Sequence, residues 1–132
     1  MKLKISVLYG GIGLKRFKKL GIMIVIILIL SSVSIIISMN KFNTLNPIKS
    51  GMEIAKIMFT NAEIVQIQKY PQVYLAKPDN AQQTLINFME QRGYKYLEDE
   101  QMASILVFGN ETSKNYIEFS VNGYYSKWVF RE

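Results

Sequence analysis

Acidic side chains are concentrated at one point of the chain, and they are the first candidates for chemistry. Glu98, Asp99 and Glu100 are consecutive, and several carboxylate oxygens held together can bind calcium or magnesium. Consecutive residues point in different directions, however, and the spacing of an EF-hand loop does not follow. Hydrolysis by paired carboxylates also requires a second, opposing acidic residue, and none is placed there. The pattern favours a solvated turn.

The chain contains neither histidine nor cysteine, which removes imidazole bases, thiol nucleophiles and the usual zinc ligands. Two serine–lysine neighbours, Ser113-Lys114 and Ser126-Lys127, are the remaining candidates for nucleophilic catalysis. Neighbours on a strand face opposite sides of a sheet, and nothing indicates an oxyanion hole. We therefore predict no catalytic residue, no metal ligand and no cofactor, and a protein that is not an enzyme.

The net charge of +6 lies entirely at one end of the chain. Residues 1–19 carry six basic side chains and no acidic one, whereas residues 40–132 carry ten of each. A nucleic-acid-binding domain would carry its basic residues on the folded part, which is neutral here. The excess charge therefore reports membrane topology, and nucleic acid is not expected as a partner.

An uncharged apolar run extends from Ile22 to Ile37, directly after the basic tail. With Gly21 and Ser38 it comprises about 18 residues, or roughly 27 Å of helix, enough to cross the hydrocarbon core of a bilayer. The basic cluster stands before the run, and one lysine, Lys41, follows it within a few residues. The positive-inside rule then predicts a cytoplasmic N-terminus.

These features divide the chain into four predicted segments of a single-pass protein of the cell membrane. Residues 1–19 form a basic cytoplasmic tail, 20–38 a transmembrane helix acting as a signal anchor, 39–46 a polar linker, and 47–132 an extracytoplasmic domain. A cleaved signal peptide is the alternative, although the run is longer than a typical signal core and no A-x-A cleavage pattern follows it.

Three serines share one face of the predicted transmembrane helix, because Ser31, Ser34 and Ser38 are spaced at i, i+3 and i+7. Small hydroxyl residues can allow a second helix to approach closely. The same serines can instead donate to carbonyls one turn back in their own helix. The second interpretation is favoured, and the first identifies a possible helix–helix contact.

The remainder of the chain has the pattern of an α+β domain. Leu85, Phe88 and Met89 recur at helical intervals within residues 79–92, which Asp79 is predicted to cap and Gly93 to end. Asn46-Pro47 indicates another helix start, but residues 47–59 fit either a helix or a strand, with a weak preference for helix.

Short runs rich in β-branched and aromatic residues predict the strands. Those at 63–69 and 72–76 form two strands or one strand kinked at Pro71, and the others are 94–97, 103–108, 115–121 and 124–130. We expect an antiparallel sheet of four to five strands with one packed helix and a C-terminal β-hairpin.

Asn122-Gly123 predicts the turn of that hairpin, because both central positions of a type I′ turn require positive φ. A two-residue loop places Val121 opposite Tyr124 and Ile117 opposite Trp128. In this register Glu118 lies opposite Lys127, which predicts an ion pair on the outer face.

Aromatic residues crowd the C-terminus, and Tyr116, Tyr125 and Phe130 are predicted to lie off the face of Ile117 and Trp128. They can bury against residues 46–59 and make the sheet two-sided, which is favoured in a small domain. Otherwise they form an exposed surface for a peptide, a glycan or a protein. The possible partner contacts are Tyr116, Tyr125, Trp128 and Phe130.

The C-terminal half resembles small single-pass membrane proteins of low-GC Gram-positive bacteria, a family of unknown function. In their pattern a helix ends in K/R-G-aromatic, an E-Q-M-G/A motif leads into a strand, and an aromatic-rich hairpin follows. The matching positions are Arg92-Gly93-Tyr94, Glu100-Gln101-Met102-Ala103, Val107-Phe108, Tyr125 and Trp128. Ala103 stands where glycine is common. The resemblance implies the same topology and fold and supplies no activity.

Two functions follow as expectations. The favoured one is a non-enzymatic, membrane-anchored extracytoplasmic module that binds or modulates a protein or an envelope component. The alternative is a small integral subunit or regulator of a larger membrane complex that acts through its transmembrane helix, with the face of Ser31, Ser34 and Ser38 as its support.

Overall fold

A computed structural model describes the backbone of residues 4–131 and the side chains of residue 13 and residues 15–131. The chain divides into two compact units, Met1–Ile36 and Ile37–Glu132. The first consists of most of one long helix, and the second is the α+β domain together with the last residues of that helix.

The long helix, α1, runs over Lys4–Phe42. Within the described residues it is the one helix long and apolar enough to cross a membrane, with a mean hydropathy of 3.0 in its most apolar stretch and no burial there. It extends beyond the predicted bounds of 20–38 at both ends. Residues 39–42, expected to belong to a linker, form its last turn, and Asn43, with a φ of 56°, ends it.

The domain is built on one antiparallel sheet of six strands in the order β1-β2-β6-β5-β4-β3. The strands are β1 (Ile64–Gln68), β2 (Val73–Ala76), β3 (Lys95–Tyr96), β4 (Ile105–Gly109), β5 (Lys114–Val121) and β6 (Ser126–Arg131). The prediction of four to five strands is close: the run divided at Pro71 forms two separate strands, and β3 contributes only two residues to the edge.

Both faces of the sheet are covered. Helix α3 (Ala81–Glu90) supplies Leu85 and Met89 to a core that contains Trp128, Phe108 and Ile117. Helix α2 (Pro47–Phe59) supplies Ile57 to a second core with Ile67, Val73, Leu75 and Val129. Because β2 and β6 lie between the two helices, all four residues of β2 are buried.

Helix α2 settles the open choice over residues 47–59 in favour of helix. The Asn46 side chain accepts a hydrogen bond from the Lys49 amide, and Pro47 occupies the first turn, as the sequence predicted. Its buried residues are Ser50 and Ile57, and Ile57 packs against the sheet. The helix also carries an exposed stripe of apolar residues at helical intervals, namely Ile48, Met52, Ala55 and Phe59.

Helix α3 is shorter than the predicted span of 79–92. Its N-cap residue is Asn80, in the left-handed conformation and without a side-chain cap bond, so the predicted cap at Asp79 is wrong. Its end is confirmed: Gly93 has a φ of 84°, and the Tyr94 amide donates to the Met89 carbonyl at 3.0 Å. Glycine adopts that conformation without steric cost.

The C-terminal hairpin forms, but its predicted register is wrong by two residues. The loop holds four residues instead of two, because the Asn122 side chain accepts from the amides of Tyr124 and Tyr125 at 2.8 and 3.0 Å. Val121 therefore pairs with Ser126, and Phe119 with Trp128. A shift of two preserves the faces, so Ile117 and Trp128 remain in one core.

The new register replaces the predicted outer ion pair. Glu118 lies opposite Val129 and pairs with Arg131 at 2.7 Å, while Lys127 lies opposite Ser120. The expectation that Phe130 lies off the Trp128 face is also wrong. Residues two apart on a strand point to the same side, and Phe130 packs against the Trp128 core.

Ala103 occupies a backbone conformation that favours glycine. Its φ is 51°, and it is the first central residue of a tight turn in which the amides and carbonyls of Met102 and Ile105 bond to each other. Such turns prefer glycine at this position.

Ala103→Gly is expected to stabilise the domain. Removing the β-carbon relieves roughly 1–2 kcal/mol of left-handed strain, and the greater freedom of the unfolded chain offsets about 0.4–1 kcal/mol of this gain. A net increase of about 0.5 kcal/mol in the free energy of unfolding should appear in urea titrations followed by the emission of Trp128, the one tryptophan. Ser104→Gly, where φ is not positive, should destabilise instead; equal effects would contradict the explanation.

Candidate functional site at the end of the long helix

The last turn of α1 is held in the domain by three contacts at three different points. The hydroxyls of Ser38 and Ser50 lie 3.1 Å apart. The rings of Phe42 and Tyr125 are 5.6 Å apart between centroids. The ammonium of Lys127 donates to the Lys41 carbonyl at 2.8 Å. These contacts attach the end of α1 to α2 and to β6 and the loop before it.

Lys127 closes the C-terminal end of α1. Besides the Lys41 carbonyl, its Nζ donates to the Asn43 side-chain oxygen at 3.0 Å. The last carbonyls of a helix have no partner within the helix, and the negative end of the helix dipole favours a cation. Partial burial lowers the pKa of Lys127; Glu118 opposes this shift and Lys41 adds to it. The lysine therefore serves as a side-chain cap supplied by the sheet.

The free energy of unfolding should report this burial through its pH dependence. Because the folded-state pKa of Lys127 lies below the ordinary value of 10.5, the unfolded chain binds more protons between the two values, and stability contributed by this group rises with pH there. The pH dependence due to Lys114 has the opposite sign, because its bond to Glu100 raises its pKa. The stability that Lys114 contributes is present below pH 10.5 and is lost as pH rises through its folded-state pKa.

Urea titrations at pH 8 to 11 should therefore show opposite slopes when wild type is compared with each of two variants. The free energy of unfolding of wild type minus that of Lys127→Met should increase with pH. The same difference taken with Lys114→Met should decrease with pH. Parallel behaviour of the two variants would show that Lys127 is no more desolvated in the folded state than an ordinary surface lysine.

The serine contact is polar, buried and fully paired. Ser38 and Ser50 are 2% and 1% exposed. The Ser50 hydroxyl also approaches the Asn46 carbonyl at 2.9 Å and donates to it. Since a hydroxyl carries one proton, Ser38 is the donor in the bond to Ser50. Small side chains on both helices permit this close approach.

The three serines of the predicted helix face thus separate into two kinds. Ser31 and Ser34 donate to the carbonyls of Ile27 and Leu30, one turn back in their own helix, at 2.8 Å. Ser38 contacts another helix, but that helix is α2 of the same chain.

The aromatic side chains proposed as partner contacts do not form one exposed surface. Trp128 is completely buried, and its indole nitrogen donates to the Ser126 hydroxyl at 2.9 Å. Tyr125 is half-buried beside Phe42, and Phe130 is half-buried against the Trp128 core. Tyr116 is 39% exposed, so it is the member of the set with most surface available.

The acidic cluster is an exposed single turn of 3₁₀ helix over Glu98–Glu100. Glu100 pairs with Lys114 at 2.7 Å. Within the described residues, no three histidine, cysteine, aspartate or glutamate side chains group together as metal ligands would. The Ser126 hydroxyl contacts the Ser120 carbonyl and Trp128, so its bonds belong to the core.

The lysine cap, Phe42 and Ser50 were not identified from the sequence as functional residues. Lys127 is separated in the sequence from its partners Lys41 and Asn43 by 86 and 84 positions, and no local pattern signals such a contact. A small residue in the first turns of an amphipathic helix, such as Ser50, is the one available hint of a close helix crossing. No protein-family model, curated protein or solved structure matches this chain.

Proposed function

We propose that this chain is a single-pass protein of the cell membrane with its N-terminus in the cytoplasm and the domain outside. The observation that carries the proposal is the charge distribution around α1. Residues 1–19 hold six basic and no acidic side chains, and residues 40–132 are neutral, while the apolar residues between them are exposed along the helix. Exposed isoleucine and leucine on every side of a helix fit lipid as the solvent.

The domain acts in this proposal as a non-enzymatic module that binds or modulates a protein or an envelope component. Its support is indirect: both faces of the sheet serve packing, and the candidate nucleophiles have structural bonds. The resemblance to small single-pass proteins of low-GC Gram-positive bacteria is part of the same proposal. Docking of the last helical turn also suits a module that must stay close to the membrane.

Orientation can be tested because the chain has no cysteine. Thr112→Cys lies in the exposed loop before β5 and should react with a membrane-impermeant maleimide on intact cells. Lys18→Cys should react only after lysis. The reverse pattern would overturn the proposed orientation, and a mature chain that begins near Met39 would show that the helix is a cleaved signal peptide.

Binding can be tested with a photo-reactive phenylalanine analogue at Tyr116 in the full-length protein expressed in cells. A discrete adduct of reproducible mass that is absent with the same analogue at Asp79, an exposed residue of the loop before α3, supports the module. Identical adducts at the two positions, or none at either in a correctly exported protein, would count against it.

The alternative function, a subunit acting through its transmembrane helix, has less support. The hydroxyls of Ser31 and Ser34 are satisfied within α1, and Ser38 is engaged by Ser50. The serine face therefore needs no second helix to satisfy its polar groups.

A further inference from the structure

Helix α2 carries an apolar stripe on the side that faces away from the sheet. Ile48, Met52 and Phe59 are 75%, 58% and 81% exposed, and Ala55 lies between them. Their spacing of four, three and four residues places all four side chains within a narrow arc of the helix. Large apolar side chains clustered on one exposed face mark a contact surface.

The stripe is not a continuation of the core-facing side of the helix. Ser50 and Ile57 are the buried residues of the helix, and at 100° per residue they lie on nearly the opposite side from Met52 and Phe59. The helix is therefore apolar on two opposite faces, one of which is already covered. Lys49 and Lys56 follow one flank of the exposed stripe.

The start of α2 is fixed close to the end of the apolar run of α1. Ser38 follows Ile37, the last residue of that run, and contacts Ser50 directly. Only residues 43–46 separate the two helices. Crossing helices have axes about 8–10 Å apart, so the first turn of α2 lies about that far from where the chain leaves the apolar run.

We propose that the exposed stripe of α2 lies in the interfacial region of the bilayer that α1 spans, with Lys49 at its flank reaching the lipid phosphates. This inference rests on the proposed membrane anchor. Interfacial helices combine a bulky apolar face with lysines at its border, as α2 does. Leu45 and Met39, which lie near the start of α2 in the sequence, are also exposed.

The bilayer is favoured over a protein as the occupant because the anchor itself supplies it. A tethered surface binds as an intramolecular partner at high effective concentration. Three apolar side chains are therefore enough to hold α2 at the bilayer surface. A second copy of the chain or a soluble protein would have to bind the stripe by a separate, intermolecular encounter.

The test uses nitroxide labels on single cysteines in the full-length protein, reconstituted in vesicles of phosphatidylethanolamine and phosphatidylglycerol. Labels at Met52→Cys and Phe59→Cys should be relaxed more by oxygen than by a water-soluble nickel complex. Val121→Cys, 53% exposed in the terminal hairpin, is the matched control and should favour the nickel complex. Leu28→Cys reports the anchor. Trp128 emission verifies that each labelled domain is folded.

The outcomes separate the two proposals. Oxygen preference at 28, 52 and 59 with nickel preference at 121 supports the inference. Oxygen preference at 28 together with nickel preference at 52 and 59 overturns it and leaves the anchor intact, whereas nickel preference at 28 overturns the anchor. Spin–spin broadening at 52 that disappears on dilution with unlabelled protein would assign the stripe to a second copy and also overturn the inference.

Discussion

Trp128→Ala is expected to cause the largest loss of stability of any single substitution in the domain. Trp128 is completely buried, and truncating a buried tryptophan to alanine costs about 3–5 kcal/mol. Small domains are stable by about 5–15 kcal/mol in total. The substitution should therefore remove a large share of the stability and populate the unfolded domain under mild denaturing conditions.

The position of the indole explains why the cost is high. Its ring lies 5.5 Å from Phe88 of α3 and 6.5 Å from Tyr74 of β2, measured between centroids. It therefore joins the packed helix to the central strands. The bond from its ring nitrogen to Ser126 is also lost, which leaves the buried hydroxyl with only the Ser120 carbonyl as partner.

Pulse proteolysis across a urea gradient, with the full-length protein in detergent, measures the effect without needing the tryptophan signal. Tyr124→Ala provides the control, because Tyr124 is an exposed aromatic residue of the same hairpin. Its free energy of unfolding should stay within about 0.5 kcal/mol of the wild-type value. The free energy of unfolding of Trp128→Phe should lie between those of Trp128→Ala and Tyr124→Ala. A loss below about 1 kcal/mol for Trp128→Ala would show that the indole does not hold the core together.

Local signals in the sequence predicted most of the secondary structure. The end of α3 follows from Gly93, because glycine adopts positive φ without strain. The start of α2 follows from Asn46 and Pro47, whose roles require only residues in the next turn. Each of these features depends on neighbours within about four positions, and each is confirmed.

Errors arose where a side chain or a distant segment decides the outcome. Asn122-Gly123 favours a two-residue turn, but the Asn122 side chain accepts two backbone amides and stabilises a longer loop. The predicted pairing of Glu118 with Lys127 failed as a consequence. Lys127 instead donates to the end of α1, a partner that no spacing rule connects to it.

Helix α2 shows why the choice of buried face could not be made from its sequence. The stripe of Ile48, Met52 and Phe59 and the face of Ile54 and Ile57 are both apolar. Periodicity identifies amphipathic faces but does not state which one meets the sheet. The Ser38–Ser50 contact was missed for the same reason, since it depends on which face of α2 is buried.

Ser38→Leu is expected to have the second largest effect, because it inserts a bulky side chain into the close crossing of α1 and α2. Both hydroxyls of the Ser38–Ser50 contact are buried. Overpacking a tight site costs about 1–3 kcal/mol. The variant also leaves Ser50 without its donor, although Ser50 keeps its bond to the Asn46 carbonyl.

Ser34→Leu provides a matched control one turn earlier on the same face of the helix. Its hydroxyl bonds within α1 and its side chain is exposed. Leucine there should therefore leave the free energy of unfolding of the domain within about 0.5 kcal/mol of the wild-type value. Pulse proteolysis of full-length Ser38→Leu should show the midpoint falling while the Trp128 core still folds. Equal midpoints for the two variants would mean that the crossing tolerates leucine.

Leucine substitutions at the three serines of this helix face discriminate between the two proposed functions. If the protein acts through a helix–helix contact in the membrane, Ser34→Leu and Ser31→Leu should abolish its association with a larger complex while the domain stays folded. If it acts through the domain, these two variants should keep their partner, and Ser38→Leu should lose it in proportion to the loss of fold. A folded Ser38→Leu domain with normal partner binding would show that docking of the last helical turn is not needed for function.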